Sequence, residues 1–111
     1  MNLAISEQKK MVVIAIKEER LDAHNAGDLK AELLALFEQG KKNILIDLQD
    51  VRFIDSSGLG ALVSGFKNAI TNQGSLKLAS LQPQVKSMFE LTRLHRVFDI
   101  YPSPADVPEQ P

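Results

Sequence analysis

The chain has 111 residues, room for one domain with one core and too little for two. Hydrophobic residues make up 44% of it but aromatic ones only 5%, so aliphatic side chains must fill most of that core. A formal net charge of −1 offers no basic field to a nucleic-acid backbone, and the lack of Cys excludes disulfides, thiolate metal sites and thiol catalysis.

Leu3 to Glu7 reads as a short strand and Gln8-Lys9-Lys10 as its turn. Met11 to Ile16 is an apolar, β-branched run that reads as a buried strand, so the two predict a hairpin at a sheet edge. Lys17-Glu18-Glu19-Arg20 reads as a solvated turn, after which Asp22 or Asn25 can cap a helix. In that helix Ala26, Leu29, Leu33, Leu36 and Phe37 fall on one stripe, and Gly40 is placed to end it. Asn43 to Leu48 predicts another buried strand, and Val51 to Ile54 leads from it into Asp55-Ser56-Ser57-Gly58. From Gly58 a second helical pattern puts Leu59, Leu62, Val63, Phe66 and Ile70 on one face, with Gly74 as its stop. Leu76 to Ala79 is a strand, Pro83 suits the first turn of a third helix carrying Val85, Met88 and Phe89 inward, and Val97 to Tyr101 is the last strand.

The order β-β-α-β-α-β-α-β predicts an α/β domain with a mixed, mainly parallel sheet and helices packed mostly on one face. That domain is expected over residues 1–101. Residues 102–111 contain Pro102, Pro104, Pro108 and Pro111 and predict a loose proline-rich tail with at most one short turn. Met1 to Ile5 lacks the blocks of a signal peptide, and no apolar run approaches the ~20 residues that span a bilayer. The expectation is a cytoplasmic protein without membrane or direct nucleic-acid contact.

The chemistry concentrates at Asp55-Ser56-Ser57-Gly58-Leu59-Gly60, between a strand and an amphipathic helix. Backbone N–H groups at a helix N-terminus lack partners, and a Ser hydroxyl there can cap them. The same N–H groups and the helix dipole also favour a phosphate, and Gly58 and Gly60 leave the first turn bare for a close approach. Simple capping and a phosphate-accepting site are therefore both open on spacing alone. A dinucleotide-binding loop would need a third Gly where Val63 stands, and a hydrolase elbow would need Gly two places before its Ser, where Ile54 and Asp55 stand. No residue is placed to activate either Ser, and His24 and His95 belong to no ligand-spacing motif, so neither a cofactor, a metal nor catalysis is expected.

The segments Ile44-Leu45-Ile46-Asp47-Leu48 and Val51 to Leu62 resemble the core signature of STAS domains, and more narrowly the stand-alone bacterial anti-sigma factor antagonists. The similarity runs from about Leu3 to Tyr101 and includes Leu21-Asp22, Gly74 and Pro83-Gln84-Val85. The resemblance implies the STAS fold and a partner-switching cycle. The unmodified protein binds an anti-sigma factor that is also a serine kinase and so frees the sigma factor. Phosphorylation of Ser56 ends that binding, and a phosphatase restores it. Ser57 would act as a cap beside the phosphosite. Asp22, Asp55, Ser57, Gly58, Leu59 and Gly60 would contact the partner, and the free protein would be a monomer. A second implied role is a STAS subunit of a lipid-transport assembly or a stressosome-like scaffold. One departure stands out: Glu19-Arg20 occupies places where many relatives carry Gly-Glu or Gly-Asp.

Overall fold

A computed structural model describes residues 1–109. Strand β1 (Leu3–Gln8) turns through Lys9-Lys10 into β2 (Met11–Ile16), and the two pair antiparallel. Both turn residues take left-handed conformations (φ 48° and 65°), the shape that suits a two-residue hairpin connection. The remaining ladders are parallel: β2 with β4 (Asn43–Asp47), β4 with β6 (Ser75–Ala79), and β6 with β7 (Ile100–Tyr101). The five-stranded order is β1-β2-β4-β6-β7, the mixed, mainly parallel sheet that the sequence predicts.

Three helices, α1 (Ala26–Glu38), α2 (Ser56–Thr71) and α3 (Pro83–Leu91), pack on one face of the sheet. Val12, Ile14, Ile16, Ile44, Ile46, Leu76 and Leu78 point into that layer, alternating with residues of the opposite face. The α1 stripe is buried as predicted. Its end also follows expectation, with Gly40 just beyond the helix at φ 83°. The α2 stripe differs. Gly58, Leu59, Ala61, Leu62, Gly65 and Ala69 are buried, while Ile70 is 57% exposed. A Cβ at Gly65 would press on Leu33 and Leu76, so small residues let α2 lie close to α1 and the sheet. Leu59, Leu62, Val63 and Phe66 lie on or against the core as predicted, and only Ile70 does not.

Two further details concern chain ends of elements. Gly74 closes the end of α2 by donating to Ala69 O (2.7 Å), although it is not the residue in the left-handed conformation. Gln73 takes the left-handed conformation (φ 62°), and Gly74 is required because a Cβ would collide with the Lys42 carbonyl. The predicted strand from Val97 shrinks to Ile100–Tyr101, because Leu94–Arg96 forms a 3₁₀ turn and Phe98 N–H donates to Leu94 O. Phe98 thereby enters the helical layer, edge-on to Phe66 (5.1 Å between centroids) and Phe89 (5.7 Å).

The tail is not loose over residues 102–107. Pro104–Asp106 forms a second 3₁₀ turn that lays Val107, 1% exposed, over Met11, Val13, Leu45 and Ala79 on the helix-free face. Lys9 Nζ donates to the carbonyls of Ala105 (2.9 Å) and Val107 (2.8 Å), and Gln8 Nε2 donates to Pro104 O (2.9 Å). Prolines stop a helix but not a strap fastened by its carbonyls. Val107→Ala should therefore cost about 1–2 kcal/mol, read as a lower urea midpoint; an unchanged midpoint would mean the strap carries no stability.

Candidate functional site

Two short strands that no periodicity reveals build the site. β3 (Arg20–Leu21) and β5 (Phe53–Ile54) pair parallel as a separate two-stranded sheet. Glu19 O anchors the start of β5 by accepting from Arg52 N (2.7 Å) and Phe53 N (3.1 Å). Asp55 N then donates to Leu21 O (3.3 Å), and α2 begins at Ser56. The stretch expected to be a solvated turn is thus partly a strand that holds the start of α2.

Asp55 is the helix cap. Its backbone is extended, and its Oδ1 accepts from Gly58 N (2.9 Å). Its Oδ2 also accepts from Ala23 N (3.3 Å), tying the cap to the loop before α1. The capping role anticipated for Ser57 falls to Asp55, because Ser57 lies inside the helix, where its side chain no longer precedes the first turn. Ser56 and Ser57 are the first two helical residues, and both are exposed. Their N–H groups have no acceptor within the helix, whose own ladder starts with Leu59 N on Asp55 O (2.9 Å). Replacing Asp55 by Ala should cost about 1–2 kcal/mol, measured by urea unfolding, and Asp55→Asn should recover most of it.

Gly58 and Leu59, grouped with the contact residues by resemblance, are buried. A Cβ at Gly58 would run into the Leu21 carbonyl, so this glycine lets α2 seat against β3. Leu59 is 7% exposed and serves the core. Gly60 is exposed, and no side chain lies above it.

Asp22 organises the neighbouring loop. Its Oδ1 accepts from His24 N (3.0 Å) and its Oδ2 from Arg20 Nε (3.3 Å). Asn25, expected as a possible cap, makes no side-chain cap bond. It accepts from Asp22 N (2.9 Å) and donates to Arg20 O (2.8 Å), closing the loop on itself. The His24 N–H, the largest influence, holds the Asp22 carboxyl below its usual range; desolvation opposes it, and the Arg20 and His24 side chains each add a smaller lowering effect. A depressed carboxyl contributes stability at neutral pH and loses it only as pH falls below the ordinary carboxylate range.

Arg20 and Phe53 were not foreseen as site residues. The Arg20 guanidinium carbon lies 4.2 Å from the Phe53 ring centroid, and both side chains remain exposed. Only the departure at Glu19-Arg20 marked this place in the sequence. His95 lies elsewhere, its Nδ1 3.3 Å from Phe89 O. Among the described residues, no group of three His, Asp or Glu could hold a metal, and no helix is long and apolar enough to cross a membrane.

The STAS domain family model matches residues 2–107. The anti-sigma-B factor antagonist of Bacillus subtilis is 34% identical over 99 residues, covering 89% of this chain and 89% of that one. A solved anti-sigma-factor antagonist (STAS) domain protein from Planctomyces limnophilus superposes with TM-score 0.83 at 25% identity, covering 94% of this chain and 92% of that one. The Bacillus cell fate determinant SpoIIAA in its phosphorylated form gives TM-score 0.73 at 20% identity, covering 95% of each chain, a likeness of fold.

Proposed function

The chain belongs to the STAS domain family, and from that premise we propose that it is an anti-sigma factor antagonist switched by phosphorylation at Ser56. In this reading the unmodified protein binds an anti-sigma factor that is also a serine kinase, and the sigma factor is released. Phosphorylation ends the binding, and a phosphatase resets the cycle. Such a chain is a regulatory binding protein, not an enzyme.

The observation that carries the reading is the exposure of Ser56 at the first position of α2, on a turn fastened at both ends. A kinase can reach the hydroxyl without unfolding anything. The free N–H groups of Ser56 and Ser57 and the helix dipole favour the phosphate once it is there. Asp55 and Asp22, fixed beside it, keep the surface shape constant while its charge changes by about −1.5 to −2. The relative SpoIIAA retains the fold in its phosphorylated form, which supports a switch of charge rather than of shape.

The test is to incubate the protein with ATP and the serine-kinase anti-sigma factor encoded in the same genome, then map the product by mass spectrometry. One phosphate on Ser56 is expected. Labelling of Ser57 alone, or no labelling, would overturn the assignment.

A further inference from the structure

Three residues before Ser56, Phe53 forms with Arg20 a side-chain pair that lies outside both core clusters. Phe53 is 42% exposed, and the Arg20 side chain is 61% exposed. Phe53 and Arg20 face each other across the β3–β5 ladder, which fixes both backbones. The Arg20 guanidinium then lies over the ring at 4.2 Å, while its Nε bonds Asp22 Oδ2 at 3.3 Å. The plane is therefore held by two contacts at once. The outer NH₂ groups make no hydrogen bond among the described residues and face solvent.

We infer that Arg20, held on Phe53, is a specificity-determining anchor of the partner interface that receives a carboxylate of the anti-sigma factor. This rests on the function proposed above and adds a contact to it. Three observations lead there. The pair is continuous with the Ser56 turn, since Phe53-Ile54-Asp55 runs directly into α2. Arg and aromatic residues dominate binding energy at interfaces, and an arginine already immobilised loses less entropy on docking. A guanidinium with its outer donors free matches a carboxylate in fork geometry, which an ammonium would not.

Affinity of the unmodified chain for the anti-sigma factor is the measurement, with Arg20→Gln, Arg20→Glu and Phe53→Leu as variants. Arg20→Gln and Phe53→Leu should each weaken binding about tenfold, and Arg20→Glu about a hundredfold, because it sets like charges together. The salt dependence of binding should flatten in Arg20→Gln. Thermal midpoints should stay near the parent's, because both side chains lie outside the core. Should the parent bind while all three variants bind equally well, the anchor is refuted and the proposed function stands. If the parent does not bind at all, the proposed function itself fails. A further outcome also overturns the anchor: Arg20→Gln leaves unmodified binding intact and changes only the phosphorylated form, which would make Arg20 a clamp for the phosphate on Ser56.

Discussion

Ser56→Asp should weaken binding to the anti-sigma factor by about a hundredfold or more while leaving the thermal midpoint unchanged or slightly raised. The binding loss follows from charge. At about 4 Å from an acidic group near a protein surface, one unit pair costs on the order of 4 kcal/mol, and each ~1.4 kcal/mol is about tenfold. The stability follows from position. Ser56 is the first residue of α2, and an acid in the first turn is stabilised by about 0.3–1 kcal/mol. Nothing buried is disturbed, because the side chain is exposed. The two readouts therefore move independently. Calorimetric titration and a melting curve of the same sample separate a charge switch from damage to the fold. Ser56→Ala gives the control: it should bind like the parent and accept no phosphate.

Phe89→Ala should destabilise the protein by about 3–5 kcal/mol, the largest single effect expected from the core. Phe89 is fully buried on α3 and meets Phe98 edge-on, which in turn meets Phe66 of α2. Removing the ring takes away the edge-on contact to Phe98 and leaves a cavity under α3. Against a total of about 5–15 kcal/mol, such a loss moves the urea midpoint far down with little change of slope. A loss below about 1 kcal/mol would mean that α3 is fastened by something other than this ring cluster.

Sheet, helices and the αβ layering were legible because they rest on long signals. Met11 to Ile16 and Ile44 to Ile46 are unbroken apolar runs, and the α1 stripe repeats over three turns. What stayed hidden lies below those lengths or depends on contacts distant in the chain. β3 and β5 are two residues each, and they exist because Glu19 O and Leu21 O find donors some thirty residues away. The capping role of Asp55 needed the backbone at that turn, since Asp and Ser are equally good caps by composition. Part of the buried face of α2 was missed because Gly65 and Ala69 are inward through smallness, not hydrophobicity. The strap of residues 102–107 is held by Lys9 and Gln8 at the opposite end of the chain, a pairing that local composition does not encode. At the site, Ser56 and the acids beside it were readable from the motif, whereas Arg20 and Phe53 became visible only when the two short strands brought them together.

We propose that charge on Ser56 switches partner binding off. The most direct test titrates the anti-sigma factor with the unmodified chain and with the same chain phosphorylated at Ser56, in one buffer. The prediction is tight binding of the first and binding about a hundredfold or more weaker for the second, with superimposable circular dichroism spectra. Equal affinities for the two forms would contradict it.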